Sequence, residues 1–156
     1  VGDLFLFFGL FRQTEYHNGK LRFVPTAPNQ HIIFGYLQVA EIIKKEEDVP
    51  DWLKSHPHSK HSYWNKKNAL YIATDKLSFM PHWAGSGCFD FRQDLVLTKP
   101  GCSCSKWQIL DCFRNLTISN TSPKSWHSDY LQLPRGQEYV FTPTSEVMEW
   151  IKQVIG

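Results

Sequence analysis

Apolar residues concentrate in two stretches, GDLFLFFGLF at residues 2–11 and HIIFGYLQVAEII at residues 31–43, and each is interrupted by one glycine after a phenylalanine, Phe8-Gly9 and Phe34-Gly35. Runs of this length, rich in β-branched and aromatic residues, predict strands. A glycine inside a strand marks a bulge or a close approach of backbone. The two runs therefore read as neighbouring strands of a curled sheet, with a hollow expected beside the two kinks.

Shorter elements follow from the same alternation of apolar and polar positions. Arg12 to Lys20 is polar and contains Asn18-Gly19, a strong hairpin signal, with Leu21 to Val24 as the returning strand. Pro25, Pro28 and Asn29 form a loop before the strand at Ile32 to Ile43, which ends in the charged run Lys44 to Asp48, a solvated edge. Asp51-Trp-Leu-Lys opens a short helix that cannot pass Pro57. Asn68 to Ala73 predicts a strand, Thr74 to Met80 a turn and His82 to Gly87 a loop; a further strand runs through Cys88 to Phe91 or Asp94 to Thr98, closed by Pro100-Gly101. Trp107, Leu110 and Phe113 repeat every three residues after Ser105 and predict a short helix. Residues 115–128 read as a loop and Gln137 to Phe141 as a last strand. Thr144 or Ser145 then caps a terminal helix with Val147, Trp150, Ile151 and Val154 on one face. The fold class is α+β: an antiparallel, partly closed PUA-like β-barrel with two or three short helices. Small barrels of the PUA and EVE type hold an extruded base beside strands of this kind.

A chain of 156 residues fits one domain spanning 1–156, burying roughly 70% of its unfolded surface. Val1 is not a methionine and core-like residues begin at once, so the expectation is the C-terminal part of a longer protein. The longest near-apolar run, Leu4 to Phe11, falls far short of the about 20 residues of a spanning helix. Net charge of +2 is too small for sequence-independent phosphate binding, while the aromatic share of 15%, with six tryptophans, leaves rings to spare for a working surface. Cys88, Cys102, Cys104 and Cys112 contain no Cys-x-x-Cys spacing, so they read as thiols of a reducing cytoplasm and no metal is assigned. Asn115-Leu-Thr and Asn120-Thr-Ser match a glycosylation acceptor, a pattern short enough to arise by chance.

Chemistry concentrates in the loop SHPHSKH, where His56 and His58 flank a proline and can face one direction. With His31 and Glu138 they are the candidates for acid–base work. Arg12 and Arg135 adjoin strand ends, where a guanidinium can hold phosphate or a base; Gln38 and Gln137 each offer a donor and an acceptor to a base edge. Trp64 and Trp83, with Tyr63 and Trp126, fall in expected loops, where a ring can stack on a base for roughly 1 to 3 kcal/mol. The nucleophile elbow, the Walker loop, the dinucleotide fingerprint and the zinc-deaminase pattern are all missing, and no cofactor is named by any motif.

In order and spacing, GDLFLFFGLFR, HIIFGYLQVAEI, SHPHSKH, NALYIA, SGCF, DLVLTKPG, SKWQIL and LPRGQEYVF resemble one family over essentially the whole chain. It is the third nucleotide-modification-associated domain family of bacteria and phages, whose genomic context points to DNA base modification. Members carry a further N-terminal region with a Ser-Arg-Lys-Gly-Phe-Asp-like motif that this chain lacks. The resemblance implies a nucleic acid or nucleotide as partner and draws attention to Arg12, His31, Gln38, His56, His58, Gln137 and Glu138 without giving them catalytic roles. Three functions stand open: a module that recognises a base, modified or not; an enzyme that alters a nucleotide or base through histidines; or a protein-interaction domain with no nucleotide ligand. Catalysis requires histidines within hydrogen-bond reach of each other or of a carboxylate; recognition requires rings and cations around one pocket.

Overall fold

The computed structural model describes residues 1–64, 68–114, 116–134 and 138–156. Among these are ten strands, one α-helix and seven single-turn 3-10 helices, so the class is α+β with antiparallel pairing. The barrel expectation needs correction. The strands form one four-stranded sheet and three isolated pairs, and no closed barrel is present among the described residues. Closure demands that every strand be paired along both edges, whereas six of the ten belong to two-stranded pairs. Two compact units make up the chain: Val1–Phe7 with Gly35–Cys88, and Phe8–Phe34 with Phe89–Gly156.

In the first unit, residues 35–43 of β4 (Gln30–Ile43) lie between β1 (Leu4–Phe11) on one edge and β5 (Leu70–Ala73) and β8 (Ser86–Cys88) on the other. Val39 exchanges bonds with the first edge, donating to Asp3 O at 2.8 Å and accepting from Gly2 N at 2.7 Å. The opposite edge is shared: β8 pairs with Gly35 to Leu37, and β5 with Val39 to Ile43 through a bulge. Gly35 is required by that pairing, because a Cβ there would stand 2.8 Å from Gly87 O. Between β5 and β8 the chain leaves the sheet as a hairpin of β6 (Lys76–Leu77) and β7 (Met80–Ala84), where the sequence predicted a turn and a loop. Ile43, Val49 and Leu70 form one core cluster, with Leu53, Trp64 and Ile72 packed against it, and Tyr36, Val39 and Leu77 are buried as well.

The second unit begins with a hairpin of β2 (Thr14–His17) and β3 (Lys20–Phe23). Asn18 at φ 51° and Gly19 at φ 73° both adopt the left-handed region that a two-residue turn with the right twist demands, as the sequence predicted. The helix expected over Ser105 to Phe113 does not form. Lys106–Gln108 is strand β9, paired with β10 (Tyr130–Gln132), and only Asp111–Phe113 makes a 3-10 turn. The Pro100-Gly101 turn explains this: Lys99 N donates to Lys106 O at 2.8 Å and Thr98 bridges Trp107, so the segment is the return arm of a hairpin. The strand expected over 137–141 is also absent: Gln137 lies outside the described residues, and 138–141 are irregular. Val140 N bonds to the Ser119 hydroxyl at 2.8 Å, a side chain standing where a ladder carbonyl would be. The terminal helix α1 (Ser145–Ile155) forms as predicted, capped by Thr144 Oγ1 on Val147 N at 3.4 Å and burying Val147, Ile151, Val154 and Ile155.

Candidate functional site

The shared edge of β4 creates a cleft in the first unit. Gln38 marks the changeover, accepting from Thr74 N at 2.9 Å and donating to Gly85 O at 2.7 Å, while Gly85 N reaches Asp75 O at 3.1 Å. The chain must pass so close here that a Cβ on Gly85 would collide with the Thr74 carbonyl and hydroxyl. Beside this crossing opens a cleft of about 560 Å³ lined by Trp52, Leu53, residues 71–75 and residues 84–86.

Its walls carry two exposed rings. Trp52 is 67% exposed, although its neighbour Leu53 is packed against the Ile43, Val49 and Leu70 core and so fixes the Asp51–Leu53 turn in place. Tyr71 is 46% exposed and meets Phe5 edge-on at 5.1 Å. The polar residues of the cleft are Thr74, Asp75 and Ser86. Thr74 Oγ1 is buried without a hydrogen-bond partner. Neither the Asp75 carboxylate nor the Ser86 hydroxyl is engaged by another described residue. Two ring faces with one acceptor-only group and one accessible hydroxyl suit a planar heterocycle bearing hydrogen-bond donors.

The described residues among those singled out in the sequence do not line this cleft. In the first unit, Gln38 is 4% exposed and spends its amide internally, donating to Ser78 Oγ at 2.8 Å and Gly2 O at 3.2 Å and accepting from Ser78 N at 2.7 Å. Trp64 packs on the core and donates to Ser59 O at 3.1 Å. Trp83 lies on β7, exposed, outside the residues that line the cleft. His56 and His58 are brought together, ring centroids 5.7 Å apart, but the ring nitrogen of His56 accepts from His58 N at 3.3 Å and so caps a 3-10 turn. Among the described residues, His61 is the histidine that meets a carboxylate, Nδ1 standing 2.6 Å from Glu46 Oε2.

In the second unit, Arg12 donates through Nη2 to Val24 O at 2.9 Å and Pro25 O at 2.6 Å, lies over the Phe23 ring and leaves Nε buried without a partner. Its guanidinium thus closes the base of the β2–β3 hairpin. His31 accepts at Nδ1 from Trp107 Nε1 at 2.9 Å, among the rings of Phe8 and Trp107. Burial pushes its pKa down, so the neutral imidazole with its proton on Nε2 is favoured. Glu138 is exposed, and its backbone carbonyl accepts from Asn120 Nδ2 at 3.0 Å. Arg135 and Gln137 lie outside the described residues. Of the hollow expected beside the Phe-Gly kinks, Gly35 is filled by the backbone of β8, and Gly9 faces the Phe11 and Phe34 rings, from which a Cβ would stand 3.0 and 3.4 Å. Trp52 and Tyr71 drew no functional reading, although Tyr71 stands in the NALYIA segment of the family resemblance; at Trp52-Leu53 the signal was an aromatic residue in a polar turn before a core leucine.

All four cysteines are free thiols. Among the described residues no three His, Cys, Asp or Glu side chains gather to hold a metal ion, and no helix is long and apolar enough to cross a membrane.

The class is thus α+β, and the first unit carries an open, ring-walled cleft. Residues 1–142 match the model of nucleotide modification associated domain 3, and the chain belongs to that family. No curated protein and no solved structure matches it.

Proposed function

We propose that this nucleotide-modification-associated domain recognises a base or nucleotide, and that the Trp52–Tyr71 cleft is where it does so. The observation that carries the reading is the gathering of two exposed rings with three polar side chains that have no partner among the described residues. Either ring offers a face to the heterocycle. Asp75, an acceptor only, selects a base edge that presents an amino or imino hydrogen. Ser86, which is exposed, supplies a hydroxyl for a sugar or carbonyl oxygen.

Binding of nucleotides and of single-stranded oligonucleotides, with and without modified bases, tests it. Stacking worth roughly 1 to 3 kcal/mol makes Trp52→Ala about 5- to 150-fold weaker. Asp75→Asn changes the order of preference among bases, since an amide adds a donor. No binding, or binding indifferent to both substitutions, overturns the proposal. An acid–base enzyme acting on a nucleotide or base is the second reading, favoured by the 2.6 Å contact of His61 with Glu46. Incubation with nucleotides and DNA followed by mass spectrometry decides it: a mass change lost in His61→Gln supports catalysis, and unchanged masses refute it.

A further inference from the structure

We infer that the second unit carries a binding site for an alkylammonium group, formed by four phenyl rings and one carboxylate. The site is a hollow of about 90 Å³ lined by Phe11, Phe34, Phe89, Phe91 and Asp90 over two isoleucines of β4. It arises from local necessity. Phe89 N bonds to Phe34 O at 2.9 Å, which brings residues 89–91 alongside β4. The absence of a Cβ at Gly9 leaves room for the Phe11 and Phe34 rings, whose centroids lie 5.9 Å apart at 63°.

Three observations give the ligand its chemistry. First, Phe11 is 42% and Phe91 67% exposed, an arrangement of large apolar side chains in water that marks an interaction surface when the rings adjoin. Second, Asp90 is exposed and its carboxylate is engaged by no other described residue. Third, the volume equals the share of about three waters, which fits a head of four or five heavy atoms. An anion is repelled by the carboxylate and by the negative faces of the rings. A neutral apolar group fills the space but strips water from Asp90 without return. A methylated ammonium satisfies both partners: it is attracted to ring faces, pairs with the carboxylate and is weakly hydrated enough to leave water. Phe89 already accepts a cation, since Arg92 Cζ lies 5.9 Å over its ring, but Arg92 is held by Asp94 at 3.0 Å and by Val154 O at 2.8 Å and does not line the hollow. This inference is independent of the Trp52–Tyr71 cleft.

Choline and its uncharged carbon isostere, dimethylbutanol, distinguish charge recognition from mere filling, with binding followed by NMR titration of the intact chain. Choline is expected to saturate and dimethylbutanol to bind about tenfold more weakly, the scale of a desolvated cation–π contact. Asp90→Asn weakens choline several-fold and leaves the alcohol unchanged; Phe91→Leu weakens both. Both residues are exposed, so unchanged melting temperatures will show that these variants fold. Equal binding of the two ligands, no binding of choline, or indifference to Asp90→Asn overturns the inference. So does choline binding that is lost in Trp52→Ala and kept in Phe91→Leu, which moves the ligand to the other unit.

Discussion

Replacing Gln38 with methionine tests whether that amide serves the fold or a ligand. The side chain is 4% exposed, and its three bonds tie the hairpin turn at Ser78 and the N-terminal segment at Gly2 to the middle of β4. Methionine keeps the volume and loses all three. A typical bond contributes about 1 kcal/mol net, and a donor or acceptor left buried costs about 1 to 3 kcal/mol more. Ser78 is exposed, so water takes up its freed N–H and hydroxyl and the cost stays near the lower end. The sum is about 4 kcal/mol, or a fall in melting temperature of about 8 to 16 °C for a chain of this size. Thermal unfolding measures it. Ser78→Ala should remove part of the same interaction, and the double variant should cost less than the two singles added. A melting temperature lowered by less than about 2 °C, together with weakened oligonucleotide binding, refutes the structural role and restores Gln38 as a reader of base edges.

Other outcomes follow from the same bonds. His31 must be neutral for Nδ1 to accept from Trp107, and burial lowers its pKa in the folded state below the unfolded value of 6.5. Its contribution to stability is therefore complete above that value and is lost as pH falls through the lowered folded pKa; denaturant midpoints at several pH values should decline on the acid side, and less steeply in His31→Phe. Gly85→Ala should unfold or distort the cleft, because the new Cβ meets backbone and hydroxyl of Thr74, and hydrogen exchange at Thr74 and Gly85 should rise. Thr144→Ala removes the cap of α1 and should cost about 1 kcal/mol in chemical denaturation, with no change in ligand binding. Arg12→Ala frees the Val24 and Pro25 carbonyls and should loosen the β2–β3 hairpin, seen as faster exchange at Val24, whose N–H donates to Gln13 O.

What could be read from the chain alone were features whose cause lies within a few residues. β1 and β4 follow from long β-rich runs, the β2–β3 hairpin from Asn18-Gly19, and α1 from a threonine cap before a helical stripe. Membership of the family was legible too, because motif order is a property of the sequence itself. Tertiary structure decided whatever depends on distant partners. Lys106–Gln108 became a strand because Tyr130–Gln132 pairs with it, and Trp107 at a helical spacing was free to meet His31 instead. The same holds for function. Arg12, Gln38 and His31 carry groups able to bind a ligand, but whether such a group is available depends on which carbonyl or ring reaches it first in the folded chain. Trp52 and Tyr71 drew no functional reading from the sequence, and with Asp75 they line one cleft because a single strand, β4, exchanges one neighbour for another at Gln38.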